Sequence, residues 1–235
     1  MILEERLEQG FSQWNISYTD RMLQQFRTYY SLLEARNKVM NLTAIEGEKD
    51  TAELHFLDSS ILLRDRELGD RSIADIGTGA GFPGVVLKIL VPDSEIVLVD
   101  SLDKRVRFLQ EVCEALSLKY INCLHARAEE LPGEYRGHFD LVTSRAVARM
   151  QILSELCMPF VRQGGHFIAM KGPDCAEEVK EASEAVRKLG GRPAEIDTYT
   201  IPDTDVEHSL VSVYKDGITS DKYPRRWAQI KKSPL

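Results

Sequence analysis

The residues with chemistry to offer gather between positions 72 and 84, Ser-Ile-Ala-Asp-Ile-Gly-Thr-Gly-Ala-Gly-Phe-Pro-Gly. An apolar run, Ile73 to Ile76, carries one carboxylate, Asp75, into Gly77, Gly79 and Gly81 at alternate positions. Gly84 then opens a second apolar run that ends at Leu90. Glycines at this density let backbone approach a ligand and take positive φ without a Cβ clash. Strand, glycine turn and helix in that order cradle a nucleotide-like ligand at a sheet's carboxyl edge. A nicotinamide dinucleotide uses G-x-G-x-x-G and a helix N-terminus that faces its pyrophosphate. Here the spacing is G-x-G-x-G, and Asp75 stands two residues before the first glycine. A carboxylate there would repel phosphate and would suit the ammonium of an amino-acid end. The residues therefore favour S-adenosylmethionine over NAD.

Three later positions fit the same ligand. Asp100-Ser101 close a second apolar run, Glu95 to Val99, with Asp100 placed 19 residues beyond Gly81. A strand-end carboxylate can accept from both ribose hydroxyls; it can also cap the helix that follows. Ala128-Glu129 follow a third strand, where a backbone amide and a carboxylate can read an adenine, or where Glu129 is simply helix surface. Arg145 follows a fourth strand, at the edge a methyl acceptor must approach. It can orient an acceptor oxygen, hold a phosphate or pair with a neighbouring carboxylate. The segment 139–148 has no Asn/Asp-Pro-Pro-aromatic turn of the kind that holds an exocyclic amine, and no cysteine nucleophile.

These residues need a sheet to hold them. From Arg71 onward strand and helix patterns alternate. Strands are expected at 73–76, 95–100, 120–124, 138–143 and 165–170, and helices at 83–91, 102–117, 150–161 and 175–189. A late hairpin is expected from strands near 194–201 and 209–214. Repeated βα units imply a parallel sheet covered on both faces, and the hairpin adds an antiparallel edge. The expected fold is α/β, a class I S-adenosylmethionine-dependent methyltransferase (Rossmann-like) fold with seven mostly parallel strands. Residues 1–64 lack strand patterning and read as a helical layer on the main domain, with one helix capped by Asp20 and a second over 50–63. The methyltransferase domain is expected over 65–216 and a basic tail over 217–235.

The 235 residues carry a net charge of −7, which argues mildly against a polyanionic partner for the chain as a whole. Charge is unevenly spread, however. Residues 216–235 hold five basic residues against two acidic ones, and residues 21–40 hold four against one. A polyanion touching one side is compatible with that. The four cysteines are scattered with no C-x-x-C and no histidine pair at ligand spacing, so reduced thiols and no metal are expected. No apolar run approaches the roughly 18 residues of a membrane span, and the acidic start does not resemble a secretory signal. A cytoplasmic protein, without membrane contact and monomeric, is expected.

The chain resembles the bacterial 16S ribosomal RNA guanine-N7 methyltransferases, also called glucose-inhibited division protein B. The matching stretches are Met40-Asn41-Leu42-Thr43-Ala44-Ile45, His55-Phe56-Leu57-Asp58-Ser59, Ala74 to Gly84, and Val99-Asp100-Ser101-Leu102-Asp103-Lys104-Arg105. They continue with Arg127-Ala128-Glu129, Thr143 to Ala148, Met170-Lys171-Gly172 and Tyr223-Pro224-Arg225-Arg226. The resemblance implies S-adenosylmethionine contacts at Gly77, Phe82, Ala128, Glu129 and Arg145. It also implies a guanine in the decoding-region loop of 16S rRNA as acceptor, met as naked RNA, as the small ribosomal subunit or as an assembly intermediate. Guanine N7 is an unprotonated lone pair, so no general base is expected. Arg145 and Lys171 are expected to position the acceptor, with Asn41, His55 and Asp58 bracing its pocket or else forming a buried polar network. The tail residues Lys222, Arg225, Arg226, Lys231 and Lys232, interleaved with aromatics, are expected to grip RNA. Two other readings stand beside this one: an RNA- or ribosome-binding protein on a silent methyltransferase fold, and a nicotinamide-dependent oxidoreductase.

Overall fold

The computed structural model describes residues 2–145 and 147–235. Two amphipathic helices begin the chain, α1 (Ile2–Gln13) and α2 (Asp20–Met40). In α2, Leu23, Phe26, Tyr29, Tyr30 and Leu33 recur at helical spacing and are buried. Thr19 caps this helix, not Asp20 as expected: its Oγ1 accepts from Met22 N–H. A β-conformation residue one step earlier places its hydroxyl over the orphan amides. Asn41 ends α2 in the left-handed conformation that asparagine tolerates well.

The second expected helix is a composite. A turn of α3 (Glu48–Thr51) passes into a π-helical turn, Ala52–Leu57, then α4 (Asp58–Ser60) and a 3-10 turn, Ile61–Leu63. Arg27 of α2 pairs with Glu4 of α1 and Glu48 of α3 and so ties these helices together.

The alternating pattern forms β1 (Ser72–Ile76), α5 (Gly84–Leu90), β2 (Glu95–Asp100), α6 (Asp103–Ala115), β3 (Ile121–His125) and β4 (Phe139–Arg145). Next come α7 (Met150–Cys157), β5 (Val161–Lys171), α8 (Ala176–Glu181), α9 (Ser183–Lys188), β6 (Glu195–Thr200), β7 (Glu207–Tyr214) and α10 (Trp227–Lys232). The single helix expected over 175–189 is broken at Ala182, and that expected over 150–161 gives way to a 3-10 turn containing Pro159. Strands β4 and β5 run longer than expected, so Arg145 and Lys171 are their last residues.

All seven strands form one sheet in the order β3-β2-β1-β4-β5-β7-β6. The first five are parallel, and β7 and β6 are antiparallel, as expected for the class I methyltransferase fold. Chain order reverses between β1 and β4, which opens a crevice at their carboxyl ends, where open α/β sheets bind ligands. One core joins α1, α2 and the composite helix to α5, α6 and one sheet face; the other face packs under α7 to α10. The N-terminal helices therefore frame one wall of the crevice.

Candidate active site

The glycine turn is built from below. Asp75 is fully buried in β1; its Oδ2 accepts from Thr78 Oγ1 at 2.7 Å and from Gly84 N at 2.8 Å. Burial raises its carboxyl to about 6, against those two hydrogen bonds. The expected role in meeting a ligand's ammonium is thus corrected: Asp75 does not line the crevice but clamps the turn from beneath. Gly81 is corrected likewise. It has φ +108°, and a Cβ there would meet Tyr29 Oη at 2.5 Å and Val85 Cγ2 at 2.6 Å. Packing against α2 demands that glycine, while Gly77 and Gly79 are the ones that face the crevice.

Two cavities run along the carboxyl edge. The larger, about 360 Å³, is lined by Gly77, Gly79, Phe82, Asp100, Ser101 and Arg145, together with Thr43, His55, Thr78 and Arg105. The smaller, about 180 Å³, lies beyond β2 among Asp100, Ala128, Glu129, Leu156 and Trp227. Gly77, Asp100, Ser101 and Val147 line both, so the two form one elongated trough. Asp100 sits at its waist, only 3% exposed. Its Oδ2 accepts from Gly79 N at 3.0 Å and its Oδ1 from Leu102 N at 2.9 Å, a turn that leads into α6, and the residue lines the trough.

The wall toward the N-terminal helices is a charged joint. Arg145 Nη1 donates to Leu54 O at 3.1 Å and to Asp58 Oδ2 at 3.0 Å, and Nη2 donates to His55 Nδ1 at 2.9 Å. Its guanidinium lies 4.9 Å over the Phe82 ring, which stacks on His55 at 4.2 Å. Burial, reinforced by Arg145, pushes His55 down to about 3, so its imidazole is neutral. Asp58 also accepts from Tyr199 Oη and His208 Nδ1, both at 2.7 Å. Burial alone would raise this carboxyl; His208 and Arg145 outweigh that and hold it below its ordinary range. Asp58 therefore joins the composite helix to the β6–β7 hairpin and lines neither cavity of the trough. His55 faces the trough, and Asn41 is an exposed helix end outside it.

Two further expectations need correction. Lys171 Nζ donates to Ala148 O and to Glu178 Oε1, which also accepts from Met150 N; it holds the start of α7 and lines neither cavity. In the tail, Arg225 is bonded through its backbone N, Nε and Nη2 to the buried carboxylate of Glu155 on α7. It anchors α10, which leaves Lys222, Arg226, Lys231 and Lys232 as the exposed cations of this segment.

The family model described as rRNA small subunit methyltransferase G (GidB) matches residues 22–206. The chain belongs to this family. A ribosomal RNA small subunit methyltransferase G of Clostridium botulinum (strain 657 / Type Ba4) is 44% identical over 97% of both chains. That of Alkaliphilus oremlandii is 42% identical over the full length of each. Among solved structures, the fold is similar to M. jannaschii TYW2 in complex with AdoMet (TM-score 0.53, 14% identity, 70% of this chain and 78% of that one). At that identity the likeness concerns fold alone.

For a family of S-adenosylmethionine-dependent methyltransferases the trough must suit that donor, and its residues do. Glu129 Oε1 is buried on the smaller cavity with no hydrogen-bond partner, the nearest cation being Arg127 Nη1 at 3.9 Å. A buried carboxylate oxygen without a partner is costly, and an adenine amine would satisfy it. Asp100 suits a ribose, and the glycine backbone with Arg105 suits the amino-acid end. Among the described residues there is no group of three or more His, Cys, Asp or Glu placed to hold a metal, and no helix is long and apolar enough to cross a membrane. Thr43, Arg105, Val147 and Trp227 were not anticipated in the trough. Thr43 stood in plain view inside the Asn-Leu-Thr motif; Trp227 had no local signal, because it arrives only through the Arg225–Glu155 anchor.

Proposed function

We propose that the chain transfers the methyl group of S-adenosylmethionine to N7 of a guanine in the decoding-region loop of 16S rRNA. The sulfonium supplies an activated methyl; the chain supplies geometry. The observation that carries this reading is the state of the acceptor-side wall. Among the described residues there, His55 Nδ1 is taken by Arg145 and Asp58 is buried under three donors, so neither can remove a proton. An acceptor with a ready lone pair fits such a wall, whereas an exocyclic amine or a ribose hydroxyl would need a base. Orientation and exclusion of water then lower the barrier, by terms of several kcal/mol each.

In this reading Asp100, Glu129 and Gly79 hold the donor, and Arg145, stacked on Phe82, shapes the acceptor side. The exposed Lys222, Arg226, Lys231 and Lys232 meet phosphates of the small-subunit RNA. The test uses small subunits and 16S rRNA from a strain lacking the gene, with labelled S-adenosylmethionine and cleavage mapping at N7-methylguanine. Label at one N7-methylguanine supports the reading. Label on an exocyclic amine or on ribose, or none at all, overturns it.

A further inference from the structure

Thr43 is the one described residue that lines both the donor trough and a separate cavity of about 260 Å³ among Tyr30, Leu33, Asn37, Ile45 and Thr51. Its place is fixed by Asn37, whose Oδ1 accepts from the backbone N–H of Leu42 and of Thr43 at 2.7 and 2.9 Å. Half-buried Thr43 therefore sits on a hydrogen-bonded turn at the end of α2, its hydroxyl against His55, which stacks on Phe82.

A proton inventory settles what that hydroxyl can do. A guanidinium only donates, so His55 Nδ1, 2.9 Å from Arg145 Nη2, must accept. The neutral imidazole then carries its hydrogen on Nε2 and donates it to Thr43 Oγ1, 2.7 Å away. The backbone N–H of Ile45 donates to the same oxygen at 3.0 Å. A hydroxyl oxygen has two lone pairs, and both are now used. Thr43 can therefore only donate, and among the described residues nothing accepts its proton.

We infer that the Thr43 hydroxyl donates to O6 of the acceptor purine and selects guanine over adenine. The inference rests on the N7-methyltransferase reading above and deepens it. On the edge that carries N7, guanine presents N7 and O6 as two acceptors, while adenine presents N7 beside an amine donor. A donor-only hydroxyl satisfies O6. Against adenine it would face an N–H with no lone pair to offer, and a buried unmatched pair of donors is what makes polar sites discriminate. Arg145 and Asp58 then act one step back: by fixing the His55 tautomer they fix the polarity of Thr43.

The test compares kcat/KM for N7 methylation on 16S rRNA bearing guanine, hypoxanthine or 2-aminopurine at the mapped position. Hypoxanthine keeps O6 and N7, and 2-aminopurine keeps N7 but lacks O6. The native protein should accept hypoxanthine nearly as well as guanine and lose on the order of 10- to 100-fold on 2-aminopurine. Thr43→Val should lose a similar factor on guanine and no longer distinguish it from 2-aminopurine; Thr43→Ser should keep the discrimination. The inference fails if the native protein methylates 2-aminopurine as fast as guanine, or if Thr43→Val discriminates as strongly as the native protein. The native comparison needs no variant to fold. If the native protein places no methyl on N7 of any guanine, the functional reading falls and takes this inference with it. Intact N7 methylation without O6 dependence removes the inference alone.

Discussion

Asp75 shows how far a residue's role depends on what is stacked above it. Its carboxylate is buried beneath the turn, with Oδ2 shared between Thr78 and Gly84 and Oδ1 without a partner. Folding raises this carboxyl from an ordinary 3.8 to about 6, so between those values the native state binds more protons than the unfolded chain. Stability from this group is therefore full below the unfolded value and is lost as pH rises through about 6. Asp75→Asn keeps one acceptor for the turn and removes the titration. In urea unfolding, the native protein's stability relative to Asp75→Asn should fall by roughly 3 kcal/mol between acid and neutral pH; a pH-independent difference would contradict the buried ionisation. His55 works in the opposite sense. Its folded value of about 3 lies below 6.5, so stability present above pH 6.5 drains away as pH falls toward 3. Arg145→Lys removes a three-way donor that a single ammonium cannot replace. It should cost about 1–3 kcal/mol in unfolding free energy and lower kcat/KM with little change in S-adenosylhomocysteine affinity, because the donor contacts proposed above, Gly79, Asp100 and Glu129, follow β1, β2 and β3.

At the scale of elements, strand ends were the legible part. Once β1, β2 and β4 were placed, Gly77, Asp100 and Arg145 had to converge at one edge, and they do. The parts that local pattern concealed are those made by packing between distant segments. Tyr199 and His208 reach Asp58 across sequence separations of 141 and 150. Lys171 looked free because its partner, Glu178, lies on the next helix. The tail hid its main feature in the same way. Glu155 is buried on α7 with Arg225 as its partner, and breaking such a pair costs about 3–5 kcal/mol because one charge is left behind. Arg225→Ala should therefore lower the thermal midpoint, and it should also weaken S-adenosylhomocysteine binding in a calorimetric titration, because α10 carries Trp227 to the smaller cavity. Unchanged cofactor affinity would show that Trp227 is a bystander.

Across the whole molecule, an acidic body carries a basic end. Lys222, Arg226, Lys231 and Lys232 are exposed, and none lines the trough. Neutralising all four should weaken RNA binding and flatten its salt dependence by about 3 in log–log slope, with cofactor affinity unchanged. Truncation of 222–235 differs, because it removes Trp227 and the Glu155 partner and should cost cofactor affinity too. Both faces of the sheet meet at the trough: Thr43 and His55 line it from the N-terminal side, and Leu156 of α7 with Trp227 of α10 line it from the other. In the proposed reaction the described residues of the acceptor wall offer shape and hydrogen-bond donors, with His55 Nδ1 and Asp58 already engaged rather than free as a base. That last claim is tested most directly by the single-turnover rate of methyl transfer to rRNA as a function of pH. The rate should be flat between about pH 7 and about pH 8.5, since no proton leaves the acceptor and His55 titrates far below this window. A rate that climbs tenfold per pH unit would mean a proton is removed before or during transfer, and would contradict the account.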